Sequence, residues 1–481
     1  MLAIAPLNSR DKTPLFRQLH AQLKELIESG ALARGTRLPA TRELAGTIGL
    51  NRTTISAAYA LLESDGLITG HVGRGSFVAG GPLTDVRGSE MRGSGERGSL
   101  DSASFSRSRP SELLFPLEEF RKTCSEVIAS DDAASILQLG SPSGYPPLRR
   151  YLLEQARAEG VARDSDDILI TSGCQQAFDL LQRTIGLGTP VLMEDPVYPG
   201  ARSVFERAGA RLIGVPVGGD GMDLEILERT IARERPLLLC VTPNFQNPTG
   251  SSMPLGARKS LLRMTQAAGV IVIENDIYGA LAYEGEPIPA IKHLDQSGET
   301  ILLRSFSKVA FPGLRVGWVI APRPLIERLA ETKQWSDLHT DQLSQAVLLR
   351  FAESGRLEQH RRRMLVAGRE RLEAALEACG THLPAGTKFT RPRGGMSLWV
   401  ELPPALDAAE LLPRAEREGV TYLPGRFFAV SRPQPNGLRL SFAGMTPEEI
   451  RSGLAVLGRI FREELERVRA HVRLGEAAAL V

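Results

Sequence analysis

The chain has 481 residues, 42% of them hydrophobic and 24% charged, with a net charge of +2. That length exceeds one ordinary core and predicts two or three domains, and the composition is that of a globular protein rather than a disordered or collagen-like one. The sequence contains no run of about 18 apolar residues and no basic start leading into an apolar stretch, so no membrane segment or secretory leader is expected and the cytoplasm is the expected compartment.

The four cysteines, Cys124, Cys174, Cys240 and Cys379, lie far apart. Without CxxC spacing they suggest neither structural zinc nor a disulfide framework, and no metal is expected. Residues 1–80 hold nine Lys/Arg and six Asp/Glu, a local excess of +3 that is compatible with nucleic acid and equally with a solvated face.

The first element is "PLFRQLHAQLKELIESG", which sets Leu15, Leu19, Leu23, Leu26 and Ile27 at helical spacing and stops at Gly30. "LPATRELAGTIG" predicts a short helix opened by Pro39 and closed by Gly49. "NRTTISAAYALLESDG" predicts a third helix, capped by Asn51 and ended by Gly66. "LITGHVGRGSFV" reads as two short strands around Gly73-Arg74-Gly75. Three helices and a hairpin make a winged helix-turn-helix. Arg52, Thr53 and Thr54 then occupy the first turn of the recognition helix, where base edges and phosphates are reached, and Arg42 and Arg74 are further candidate DNA contacts.

Residues 81–111 carry RGS three times at a five-residue period, with no aromatic before Phe105. So little apolar surface predicts a flexible linker, with a typical end-to-end distance of roughly 30 Å for such a length. Beyond it, apolar runs such as "DILITSG", "PLLLCVTP", "VIVIEND" and "TILLRSFS" alternate with helical stretches. That alternation predicts an α/β body with a mostly parallel sheet, whose ligands bind at the carboxyl ends of the strands. The expected domains are 1–80, a linker 81–111 and a body 112–481.

In the body, one ordered set of residues matches what pyridoxal 5′-phosphate requires: a lysine, a phosphate cradle, a donor to the phenolic oxygen and a partner for the ring nitrogen. Lys308 in "SFSKVAFPGLRVG" is the candidate anchor, with Ser305, Ser307 and Arg315 around it suited to a dianion. "TSGCQQAFDLL" is a strand end, a turn and a helix start, so the amides of Gly173, Cys174 and Gln175 are candidates for the phosphate. Asn247 and Tyr278 are both candidate donors to the ring oxygen. Tyr198 is placed to stack on the ring or touch its linkage, and Arg439 to grip a substrate carboxylate. Each residue alone is as compatible with a structural role; the specificity lies in the set.

Two resemblances follow. "TRLPATRELA", "LNRTTISAAYALLESDGLI" and "GHVGRGSFV" resemble the GntR-type regulators over residues 11–79. "GYPPLRRYL", "SGCQQAFDLL", "EDPVYPG", "NFQNPTG", "SFSKVAFPGLRVGW" and "GLRLSFA" resemble the fold type I aminotransferases from about residue 112 to 465. The combination resembles the MocR subfamily. This implies a large mostly parallel sheet domain with a smaller C-terminal domain, Lys308 as the Schiff-base lysine, and a homodimer that binds operator DNA. It also implies a body that senses pyridoxal phosphate, an amino acid or a related amine. The alternative is an active aminotransferase carrying a DNA-binding domain.

Two positions depart from that pattern. The aspartate usually found three residues before the tyrosine is Asn275, with Asp276 one residue later, and either remains a candidate for the ring nitrogen. Asn275 supplies no charge to hold a ring proton, which predicts weak transamination. Leu139 stands where many relatives have a tyrosine that reaches the phosphate of the neighbouring subunit.

Overall fold

The computed structural model describes residues 7, 14–28, 32, 36, 38–65, 67–71, 75–78, 103–185 and 189–478. The chain divides into two compact units, Met1–Glu96 and Arg97–Val481.

In the first unit, helices α1 (Leu15–Glu28), α2 (Thr41–Ile48) and α3 (Arg52–Ser64) precede strands β1 (Ile68–His71) and β2 (Gly75–Val78), which pair antiparallel. Leu19 and Leu23 meet Leu44, Ile55, Ala58 and Leu62 in one core, closed by Ile68 and Val78 of the hairpin. Helix α2 starts at Thr41 rather than at Pro39. Pro39 is tied elsewhere, its carbonyl accepting from the Tyr59 hydroxyl at 2.9 Å. Gly49 ends α2 at φ +69, and the Asn51 side chain caps α3 by accepting from Thr53 N at 3.1 Å.

The second unit begins before the expected body. The linker expected over 81–111 differs at its C-terminal end: β3 (Ala103–Ser104) pairs with β14 (Val420–Thr421), and Phe105 is fully buried. Phe105 packs with Leu454, Leu457 and Phe461 of the closing helix Pro447–Ala478, so one aromatic side chain anchors a stretch that is otherwise polar. The other linker residues, 81–102, lie outside the described residues.

The large sheet is built from β4 (Asp166–Thr171), β5 (Pro190–Asp195), β6 (Arg211–Gly218), β7 (Gly221–Met222), β8 (Leu238–Val241), β9 (Ile271–Asn275), β10 (Ile301–Ser305) and β11 (Gly317–Pro322). Their order is β4-β11-β10-β9-β8-β5-β6-β7, parallel except for β11 and β7. Alternate residues feed two cores. Val191, Met193 and Ile273 face the helix Cys174–Ile185, whereas Leu192 and Val272 face the helix Leu255–Ala268. A smaller sheet, β12 (Lys388–Phe389), β13 (Ser397–Glu401), β15 (Leu423–Pro424) and β16 (Gly437–Ser441), lies C-terminal in order β12-β13-β16-β15.

Candidate functional site

Strands β4, β5, β8, β9 and β10 run parallel, so their carboxyl ends share one edge of the sheet, and the chain leaving each carries candidate residues. After β4 the chain turns through Gly173 at φ +81 into the helix Cys174–Ile185. The left-handed φ favours glycine here, and a Cβ would also stand 2.6 Å from Arg315 Nη2 and push that side chain aside. Arg315 itself sits at φ +54. Its guanidinium points back to Ser172 O at 3.3 Å and to the Ser307 hydroxyl at 3.5 Å.

Within this turn, Gln176 N and Ala177 N donate to Gly173 O, and Ser172 N donates to Gln176 Oε1. The amides of Gly173, Cys174 and Gln175 have no acceptor among the described residues. Three such amides at a helix N-terminus, with Arg315 beside them, are suited to receive an anion. Ser305 accepts from Ser307 N at 3.0 Å, which folds the start of the Lys308 turn toward the same place. The Cys174 thiol turns to Arg304 O, and burial pushes its pKa up to about 12, so it is no nucleophile at neutral pH. The Gln175 side chain donates to Gly200 O and accepts from the Tyr198 hydroxyl at 3.4 Å, tying Tyr198 to the helix start.

Lys308 ends the turn Phe306–Lys308 that follows β10. Its Nζ donates to Ser108 O at 2.5 Å and lies 5.7 Å from the centre of the Tyr278 ring. Tyr278 is buried, with its hydroxyl 3.5 Å from Ser108 Oγ. Arg439 on β16 is fully buried, donating from Nη1 to Asn247 Oδ1 at 2.9 Å and from Nη2 to Ser106 O at 2.6 Å. Because a guanidinium only donates, it fixes Asn247 Oδ1 as the acceptor and leaves Nδ2 as the donor. Ser106 and Ser108 fall in the linker expected from sequence. The structure instead lays their carbonyls against Arg439 and Lys308, and only the buried Phe105 next door could have signalled it.

The structure also separates Asn275 from Asp276. Asp276 is held on both carboxylate oxygens, accepting from Asn244 Nδ2 at 2.8 Å and from Arg304 Nε at 3.0 Å. No bulge brings it round, since the register of β9 against β10 runs unbroken to Asn275↔Leu303. Asn275 shares the face of Ile273. It is 5% exposed, its Nδ2 lies 3.4 Å from Thr242 Oγ1, and its Oδ1 has no partner among the described residues. A buried acceptor without a donor is costly. The site therefore fits a ligand that brings a donor to Asn275, an anion to the cradle and a carbonyl carbon to Lys308.

The comparisons with known proteins agree with this geometry. Residues 110–457 match the family "Aminotransferase class I and II", and residues 15–78 match "Bacterial regulatory proteins, gntR family". The uncharacterized HTH-type transcriptional regulator YdfD of Bacillus subtilis is 30% identical, over 95% of this chain and 98% of its own. The probable rhizopine catabolism regulatory protein MocR of Rhizobium meliloti is 30% identical, over 93% and 94%. The chain belongs to the MocR group of gntR-type regulators.

A structural neighbour of this MocR-type chain is LysN, the alpha-aminoadipate aminotransferase of Thermus thermophilus, solved with N-(5'-phosphopyridoxyl)-L-leucine. It is 38% identical, with a TM-score of 0.71, over 76% of this chain and 94% of that one. The cofactor of the aminotransferase domain is pyridoxal 5′-phosphate, and the gntR head binds DNA. In that head, Arg52 and Thr53 are exposed at the start of α3 and Thr54 is half-buried. Arg42 lies on α2. Arg74 is outside the described residues.

Proposed function

We propose that this regulator reads an amino acid, or an amine bearing a carboxylate, at its pyridoxal phosphate site, and that the segment 103–110 carries the signal. In this reading Lys308 anchors the cofactor's aldehyde carbon, while Gly173, Cys174, Gln175, Ser305, Ser307 and Arg315 hold its phosphate. Asn247 Nδ2 and Tyr278 donate to the ring oxygen, Tyr198 packs against the ring, and Asn275 meets the ring nitrogen. Bound there, the cofactor supplies an electrophilic carbon that captures primary amines and withdraws electrons from them. Arg439 then takes the effector's carboxylate.

The observation that carries the reading is the pair of backbone bonds from Arg439 to Ser106 O and from Lys308 to Ser108 O. A carboxylate is a stronger acceptor for a guanidinium than a peptide carbonyl, so an effector competes with Ser106 O for Arg439. The exchange releases chain that leads toward the DNA-binding head. It is a population shift and requires the effector to favour one arrangement of this segment.

Leu137, Leu139 and Leu338 are exposed, and Leu338 follows Asp337, which accepts from Gln176 of the helix that starts at the cradle; exposed apolar side chains of this kind fit a second copy of the chain as a homodimer partner. Work on DNA and a described chain without a helix able to cross a membrane suit a cytoplasmic protein. Asn275 keeps transamination slow, since the ring nitrogen lacks a direct carboxylate.

The test is a spectral titration of the full chain loaded with pyridoxal phosphate against a panel of amino acids and matched amines, with and without DNA. Lys308→Ala should lose the visible band. Arg439→Met should keep the band and lose the preference for carboxylates. A wild type that binds no cofactor, or an Arg439→Met variant that treats amino acids and amines as the wild type does, refutes the reading.

A further inference from the structure

The face of the large sheet turned away from Asn275 carries a cavity that the cofactor site does not use. Leu303 and Ile273, and Asn275 with them, face the helix Cys174–Ile185, whereas Leu302 and Trp318 pack toward the helix Pro146–Ala158. Alternation along β10 and past the end of β9 puts Arg304 and Asp276 on this second face. Beside them lies a cavity of about 580 Å³, a volume suited to a small molecule. Its apolar wall includes Tyr151, Leu152, Phe306, Val309, Trp318 and Leu357. Phe306 and Trp318 meet there with ring centroids 5.0 Å apart.

The polar end of the cavity is one row of hydrogen bonds. Fully buried Arg258 donates to Asn244 Oδ1 at 2.6 Å, and Asn244 Nδ2 donates to Asp276 Oδ1 at 2.8 Å. Arg304 Nε donates to Asp276 Oδ2 at 3.0 Å, and Arg304 Nη1 to Glu159 Oε2 at 2.6 Å. Two guanidiniums balance two carboxylates, so the row offers an ion no net charge. Hydrogen-bonding capacity remains at its outer end. Arg304 Nη2 donates to none of the described residues, and Glu159 Oε1 accepts from none of them. Both residues line the cavity, with side chains 21% and 50% exposed. A guanidinium only donates and a carboxylate only accepts, so this end presents a donor beside an acceptor.

We infer that this cavity is a second small-molecule site, for an uncharged flat heterocycle whose edge sets an N–H beside a C=O, as in a lactam. The C=O accepts from Arg304 Nη2, the N–H donates to Glu159 Oε1, and the ring packs against Trp318 and Phe306. The site itself goes beyond the cofactor reading above, and only its effect on the cofactor rests on that reading. Ser305, Phe306 and Val309 line the cavity and flank Lys308 on both sides, so an occupant restrains the turn that carries the lysine. It thereby raises the affinity for pyridoxal phosphate, and by linkage the cofactor raises the occupant's affinity by the same factor.

The experiment titrates the full chain, with and without pyridoxal phosphate, with quinolin-2-one and with its N-methyl derivative, read by calorimetry. In the wild type the N-methyl compound, which lacks the donor, should bind about tenfold more weakly. Glu159→Ala should remove most of that gap. Ala280→Trp, at an exposed position in the cavity wall, should block both compounds. Quinolin-2-one should tighten cofactor uptake, and the cofactor should tighten quinolin-2-one binding equally. A wild type that binds no quinolin-2-one or binds the two compounds alike overturns the site, as does a gap that survives Glu159→Ala or binding that survives Ala280→Trp. Quinolin-2-one bound as expected, with cofactor affinity unchanged, overturns the link to Lys308. A chain that takes up no cofactor overturns the cofactor reading, while the titrations without cofactor still decide the site.

Discussion

Acidification should loosen the loop that carries Lys308, and His360 is the group through which it acts. His360 lies in the helix Arg356–His382, is fully buried, and stacks on Phe311 with ring centroids 6.1 Å apart and planes 2° apart. Phe311 stands between Lys308 and Arg315, in contact with Phe115, Phe120 and Phe351. Neither ring nitrogen of His360 has a hydrogen-bond partner among the described residues. Burial, reinforced by Arg363 and opposed by Glu119, lowers its pKa from 6.5 to about 4.

A lowered folded pKa means that the unfolded chain binds the proton more readily between those two values. Stability from this site is therefore complete above about pH 6.5 and declines as pH falls toward 4. By linkage, moving from about pH 7.5 to about pH 5 should cost about 2 kcal/mol at this one site. Glu194 acts in the opposite direction over part of the same range, because its raised pKa makes the folded chain the better proton binder there.

The assay is therefore a comparison. Urea midpoints of the aminotransferase unit at the two pH values are measured for the wild type and for His360→Phe, which keeps the stack and removes the proton site. The gap between the two proteins should widen in favour of the variant by that amount at the lower pH, with earlier loss of bound cofactor in the wild type. An unchanged gap would refute the argument.

Other expectations concern the two ends of the signalling path. Arg52→Ala should weaken operator binding by ~1–3 kcal/mol, read by electrophoretic shift at fixed salt, and should leave the cofactor spectrum unchanged; joint loss of both would contradict the separation of head and body. Phe105→Ala should cost about 3–5 kcal/mol and raise hydrogen exchange across residues 103–110, since the side chain is fully buried against the closing helix. Unaltered exchange there would show that the segment is held by its backbone bonds alone.

The sequence by itself determined the order of the parts: three helices with a hairpin, a polar joint, and an α/β body. Those features live in local signals, namely apolar spacing, the Asn51 cap, the Gly49 stop and the apolar runs of the sheet. It also offered Lys308, Asn247 and Tyr278 as candidates, because their short motifs follow the ends of strands, whereas Arg439 lies within β16. The joint is shorter at one end than its composition suggests. A run of serines and arginines looks unstructured until the partners of Phe105, more than 300 residues further along the chain, are known.

Only the tertiary structure decided what the polar atoms do. Which of Asn275 and Asp276 keeps an unpartnered acceptor depended on Arg304 and Asn244, which reach Asp276 from other strands and loops and engage its carboxylate. The carbonyls of Ser106 and Ser108 carry no sequence signature at all, because every residue has a carbonyl. Glu194 reads as an ordinary acidic strand end until the neighbouring strands enclose it. Periodicity records which face of an element is buried; hydrogen-bond partners brought together by the fold from distant parts of the chain leave no such record.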